Sequence, residues 1–183
     1  MPAKLPAKLV AKLPVVIADA SPLIGLARIG GLAWLPKLFG TVYVTPVVLR
    51  EVLPGLGLQN EANIQAALDA GHITAWPSKI KRPKATLGDQ GDLGDLDEGE
   101  AECIALALQL RSARSLLLID ERAGRAVATE QGIEIAGTAA VIGLAKKRHL
   151  IRTAKPYFAK LHSSDFRISA AVISTVLKQL GEA

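Results

Sequence analysis

Two apolar runs that close on carboxylates set the strongest limit on how this chain can fold. Val15-Val16-Ile17-Ala18 ends in Asp19, and Ser21-Pro22 follows, an N-capping residue and a first-turn proline that start a helix at once. Much later, Leu116-Leu117-Leu118-Ile119 ends in Asp120-Glu121, and helix-forming residues follow again. Both runs read as strands that feed directly into helices. In an open α/β sheet, ligands bind outside the carboxyl ends of the strands. Two strand-end acids therefore predict a shared, acid-lined metal site.

Strand-like and helix-like segments alternate along the rest of the chain. Val15 to Ala18, Thr41 to Val44, Ile73 to Trp76, Leu116 to Ile119 and Ile133 to Ile135 read as strands. Helices are expected over Leu23 to Ile29, Leu32 to Leu38, Val47 to Leu53, Asn60 to Ala70, Glu98 to Leu110, Arg122 to Gln131, and Thr138 to Lys147, with Thr138 as the cap. Two more, roughly Lys155 to Leu161 and Ser169 to Leu180, complete the chain. Short crossovers between such elements imply a parallel sheet with helices on both faces. The expected fold class is α/β, a three-layer α/β/α sandwich around a central parallel sheet. Residues 1–14 read as a basic tail with an Ala-Lys-Leu repeat, and 15–183 as a single domain. A long loop is expected at about 78–97, basic at first and then Gly/Asp-rich; its acid spacing does not fit an EF-hand.

Composition narrows the function. Only 4% of residues are aromatic, which argues against a platform that stacks single-stranded bases. The formal charge is +5, and Lys146-Lys147-Arg148-His149, Arg152, Lys155, Lys160 and Arg167 make the last third basic. That run is either a solvated helix face or a surface that tracks phosphates. Cys103 is the only cysteine, so no intrachain disulfide forms and a cytoplasmic location is expected. His72, His149 and His162 lack zinc-ligand spacing, and no apolar stretch reaches the length of a membrane span.

The acids carry the chemistry. Asp19 ends the first strand, and its plain alternative is a helix cap. Glu51 sits on the short Val47 helix, facing either inward or toward Arg50 or Lys37. Glu100 and Glu102 lie in the first turn of the Glu98 helix, where carboxylates also complement the helix dipole. Asp120 and Glu121 end the second apolar strand, where Asp120 could equally serve as a cap. Gathered together, these carboxylates repel one another and their pKa values rise; a bound divalent cation removes that cost. Hard oxygen donors without organised His or Cys select Mg²⁺ or Mn²⁺.

These segments, taken in order, resemble the PIN-domain ribonucleases, including VapC-type toxins. The matching stretches are Val16-Ile17-Ala18-Asp19-Ala20-Ser21-Pro22-Leu23-Ile24, Val48-Leu49-Arg50-Glu51-Val52, Leu96-Asp97-Glu98-Gly99-Glu100-Ala101-Glu102-Cys103-Ile104-Ala105-Leu106-Ala107, and Leu117-Leu118-Ile119-Asp120-Glu121-Arg122. Gly137-Thr138 and Leu144-Ala145-Lys146-Lys147 also fit. The resemblance implies an acid pocket of Asp19, Glu51, Glu100 and Asp120 that binds Mg²⁺ or Mn²⁺ and cleaves RNA. Glu102 competes with Glu100 for the third position, and Glu121 with Asp120 for the fourth. Ser21 takes the place of the family's small hydroxyl beside the first acid. Arg122, Arg125, Lys146, Lys147 and Arg148 are candidates for RNA phosphate, with a surface ion pair as the alternative for Arg125.

The resemblance also implies a homodimer and a cognate antitoxin segment lying across the acid pocket. An Arg or Lys of that partner could stand in electrostatically for the metal. Two functions follow from different classes. One is a metal-dependent endoribonuclease acting as a toxin. The other is a catalytically weak or inactive PIN-like protein that works by binding protein or nucleic acid. A phosphorylatable receiver domain is a distant third, because no late-strand Lys accompanies a middle-strand Asp.

Overall fold

The computed structural model describes residues 15–81, 96–110 and 114–182. The basic tail expected at 1–14 and most of the loop expected at 78–97 lie outside these residues.

Five strands form one parallel sheet: β1 (Val15–Ala18), β2 (Val42–Val44), β3 (Thr74–Ala75), β4 (Ser115–Leu118) and β5 (Glu134–Ala136), in the order β3-β2-β1-β4-β5. The chain builds outward from β1 through β2 to β3, then crosses back to place β4 on the other side of β1. β1 and β4 pair in parallel, with Val15 opposite Ser115 and Ala18 opposite Leu118. Strand order therefore reverses between β1 and β4. A crevice opens at such a switch point, outside the carboxyl ends of the strands. Asp19 follows β1 there, and Ile119-Asp120-Glu121 follow β4.

All four β1 residues are buried, as a central strand covered on both faces requires. On one side of the sheet α1 (Ala20–Ile29) packs against α4 (Gln59–Asp69), α7 (Thr138–Lys147) and α8 (Lys155–His162). A 3₁₀ turn, Leu32–Trp34, and α2 (Leu35–Phe39) join α1 to β2, and α9 (Ala170–Gln179) packs on α7. On the other side α5 (Glu98–Gln109) packs on β1 and β4 and against α6 (Arg122–Glu130). α3 (Pro46–Val52) touches both α1 and α5, so it bridges the layers at the edge where the acids lie. The architecture is the three-layer α/β/α sandwich around a parallel sheet.

The core is aliphatic. Ile17, Leu23, Leu26, Leu35, Ile64, Ile104, Leu106, Leu117, Leu118, Ile119 and Ile142 are fully enclosed, each contributing about 1.5–3 kcal/mol by leaving water.

Two local readings change. The first helix begins at Ala20, so Asp19, not Ser21, occupies the N-cap position. The seventh helix is capped by Gly137, and Thr138 is its first residue. In both cases the side chain that would cap is engaged elsewhere, with consequences described next.

Candidate active site

Asp19 sits at an N-cap position yet makes no capping hydrogen bond. Its side chain is 2% exposed, and Oδ1 accepts no hydrogen bond. Burial pushes its carboxyl up to about 7; the Ala20 amide draws it down, and Asp97, Glu100 and Glu51 repel its charge and push it further up. Those repulsions mark which acids share its neighbourhood. They come from α3 and the start of α5, across the crevice from α1.

Glu100 is placed by a capping box. Asp97 accepts from the Glu100 amide at 2.7 Å, and Glu100 Oε2 accepts in return from the Asp97 amide at 3.3 Å. This turns the other oxygen, Oε1, toward α6, where it is buried and accepts no hydrogen bond. Burial and then Asp97 raise the Glu100 pKa, the Asp97 and Gly124 amides hold it down, and Glu121 raises it. Glu51 is exposed on α3. Burial, Asp97 and Glu98 raise its pKa against the pull of the Gly99 amide and Arg50.

Two acids of the pattern accept hydrogen bonds from other elements. Glu102 is buried, and its Oε2 accepts from the Val47 amide at 2.8 Å, at the start of α3. Asp120 spends both oxygens on one residue. Oδ1 accepts from the Thr138 amide at 2.8 Å, and Oδ2 from the Thr138 hydroxyl at 2.6 Å. Burial raises the Asp120 pKa, the two Thr138 bonds and Arg125 lower it, and Glu121 raises it. The acid among the main influences on Asp120 is its neighbour Glu121, not a member of the Asp19 group. The next residue, Glu121, does face that group: it repels Glu100, and its Oε1 accepts from the Ser21 hydroxyl at 3.4 Å.

The glycines of this edge were not recognised from sequence as part of the site. A Cβ on Gly99 would stand 2.6 Å from Glu51 Oε2, one on Gly124 2.5 Å from Glu100 Oε1, and one on Gly137 2.6 Å from Asp120 Oδ1. Each carboxylate leans on bare backbone that any side chain would fill. Asp97 was also missed as a member of the acid group. Its signal was present, an Asp three residues before a Glu at a helix start.

The basic candidates divide. Arg122 opens α6 beside Glu121 and is exposed. Arg125 forms no ion pair among the described residues; its Nη1 donates to the Ile119 carbonyl at 2.9 Å and braces the exit of β4. Lys146, Lys147 and Arg148 lie at the far end of α7. That helix starts beside Asp120 and runs 10 residues, about 15 Å away.

A PIN-domain family model matches residues 15–182. The chain belongs to the PIN-domain family. Among curated proteins none matches it. PIN domains are generally nucleases, and they generally use divalent metals. In this PIN domain the donor set fits such an ion: hard carboxylate oxygens, two of them buried without a hydrogen-bond donor. An orphaned buried acceptor costs about 1–3 kcal/mol, and an ion is one of the few occupants that explains it. Among the described residues, no group of three or more His, Cys, Asp or Glu side chains is placed so that it could hold a metal ion. No described helix of the PIN domain is long and apolar enough to cross a membrane.

Proposed function

We propose that this PIN domain is a metal-dependent endoribonuclease and the toxin of a toxin–antitoxin pair, acting in the cytoplasm. The observation that carries the reading is the pair of buried carboxylate oxygens without a hydrogen-bond donor, Asp19 Oδ1 just after β1 and Glu100 Oε1 on α5. Bound there, Mg²⁺ or Mn²⁺ would supply Lewis-acid activation of water and neutralise charge on a phosphodiester.

Asp19 and Glu100 would hold the ion through those oxygens, with Glu51 and Glu121 as the exposed members of the set. We assign the fourth acid to Glu121 in place of Asp120, whose two oxygens are both occupied by Thr138. Asp120 is then a positioning residue: it ties the exit of β4 to the start of α7 and so aims Glu121 at the crevice. Ser21 holds Glu121 in turn, and Glu102 fixes the start of α3 and with it Glu51. Arg122 is the described cation best placed for substrate phosphate at this edge. A cognate antitoxin that lays an Arg or Lys across the same acids, on a homodimer, would silence the site by supplying the missing positive charge.

Purified protein should cleave single-stranded RNA with Mn²⁺ or Mg²⁺ and stop on chelation. Asp19→Asn and Glu121→Gln should each lower cleavage by at least about a hundredfold, as loss of an electrostatic group at a reacting centre does. Asp120→Asn should retain more activity than Glu121→Gln while melting earlier. Cleavage that survives chelator, or both acid substitutions, contradicts the proposal. A folded, metal-replete protein that cleaves no RNA would establish the binding-protein reading instead.

A further inference from the structure

A second charged cluster lies outside the acid edge, at the turn from α7 into α8. Between Glu134 and Asp165 the chain holds no carboxylate, while Lys146, Lys147, Arg148, Arg152, Lys155 and Lys160 all fall in that stretch. One carboxylate reaches the turn from the C-terminal end. Glu182 accepts from the Ala154 amide at 2.9 Å and the Lys155 amide at 3.1 Å, and pairs with Lys146 at 3.3 Å. Lys146 also donates to the Arg152 carbonyl. Lys146 is thus a structural cation, and the start of α8 is already capped. Lys147, Arg148, Arg152 and Lys155 remain exposed around this lock.

The turn is rigid. His149 adopts φ 57°, the left-handed region normally given to glycine. Its amide donates to the Lys146 carbonyl at 3.0 Å, and the Leu150 amide reaches back to Ala145 at 2.9 Å. The bonds hold a conformation that disfavours a non-glycine residue by about 1–2 kcal/mol. Four cations are therefore presented around this lock, and its one carboxylate, Glu182, is already paired with a fifth, Lys146.

We propose that this turn is a sequence-neutral phosphate-binding surface for RNA, separate from the acid edge and about one helix length from it. The inference rests on the ribonuclease reading for its choice of polymer. The about 15 Å length of α7 corresponds to four or five phosphates at the about 3.4 Å spacing of a stacked strand. Tyr157, the nearest aromatic on α8, packs edge-to-face on Trp34, which leaves phosphate rather than base as the group contacted. Among the described residues the exposed large hydrophobic ones, Leu56, Leu58 and Val172, all lie outside residues 146–155. The turn therefore lacks the apolar side chains by which a basic surface embeds in a lipid interface.

The test is anisotropy of a fluorescent 20-nucleotide RNA across a salt series, in chelator so that nothing is cleaved. Lys147→Ala/Arg148→Ala/Arg152→Ala should weaken binding about tenfold or more at low salt and flatten the log–log salt slope by about 2, the share of three phosphate contacts. A charge-matched triple at exposed Lys37, Lys79 and Lys81 should change both far less. If the two triples weaken binding equally, only net charge matters and the proposal fails. It also fails if the turn triple binds RNA like wild type, or if it loses only phosphatidylserine vesicles. Should the triple not fold, Arg148→Ala alone must lower the slope by about 0.7. Binding that depends on the turn without any cleavage in Mn²⁺ would sink the nuclease reading and leave this one standing.

Discussion

The acid edge and the basic turn occupy opposite ends of α7 and solve the same problem in opposite ways. Both gather like charges. At the turn the cations are exposed, water and salt screen them, and one carboxylate fixes the geometry. At the edge the acids press on glycine backbone, and two of their oxygens are buried without a donor. Screening is weak there, so burial raises the pKa values of Asp19, Glu51 and Glu100, and the neighbouring acids raise them further. A cluster of exposed charges is tolerated whether or not it binds anything. A buried one is retained at a cost that only a counter-ion offsets.

The largest expected effect breaks that cost directly. Asp19 titrates near 7 in the folded chain against an ordinary 3.8. Its ionisation is therefore harder folded than unfolded. In chelator, stability should fall as pH rises from about 4 to about 7 and then level off, with about 4 kcal/mol as an upper bound. Asp19→Asn should remove that slope and melt higher than wild type at pH 8. A variant that melts lower at every pH would make Asp19 a structural cap. Saturating Mn²⁺ should reverse the order of the two proteins.

Gly124→Ala comes next. The new methyl would press on Ile119 Cδ1 and lie 2.5 Å from Glu100 Oε1, both buried. Overpacking of this kind costs about 1–3 kcal/mol, partly offset by helix propensity. Cleavage should fall more than stability, because the displaced atom is the proposed ligand. Equal loss in a paired melting and activity assay would mean that Glu100 is only a capping-box member.

Thr138→Val removes the hydroxyl donor to Asp120 but keeps the amide. A loss of about 1–2 kcal/mol in denaturant unfolding is expected, with a smaller activity loss than Glu121→Gln gives. A greater activity loss than Glu121→Gln would return the fourth acid to Asp120. The smallest effect belongs to the turn. Glu182→Gln should lower the melting temperature only slightly, because the new amide oxygen can still accept from the Ala154 and Lys155 amides and only the charge of the half-buried pair is lost. Its amide partners and Lys146 hold the Glu182 pKa below the usual 4.5. That stabilisation is present above the unfolded pKa and is lost as pH falls through the folded one. The wild-type advantage over Glu182→Gln should therefore disappear in acid.

The fold was legible because its signals are local. Apolar runs, Gly30 and Gly132 after helices, and Thr45-Pro46 before α3 each act within a few residues. The direction of a polar side chain is not local. Asp120 and Glu121 are neighbours in sequence, yet one turns to Thr138 and the other toward Ser21 and Glu100, because β5 and α7 supply the donors. Glu100 and Glu102 diverge for the same reason, one toward α6 and the other to the Val47 amide, which lies 55 residues away in the chain. Lys146 reads as one of a basic run until Glu182 returns from the chain end to claim it. The three backing glycines give no periodic signal, since what each accommodates belongs to another element.

Calorimetric titration of Mn²⁺ into the metal-free protein tests the central claim most directly, since it reads binding without any assumption about substrate. Saturable binding is expected near neutral pH, lost in Asp19→Asn and Glu100→Gln, sharply weakened in Glu121→Gln, and retained in Asp120→Asn. Binding indifferent to Asp19 and Glu100, or lost only with Asp120, would contradict that claim.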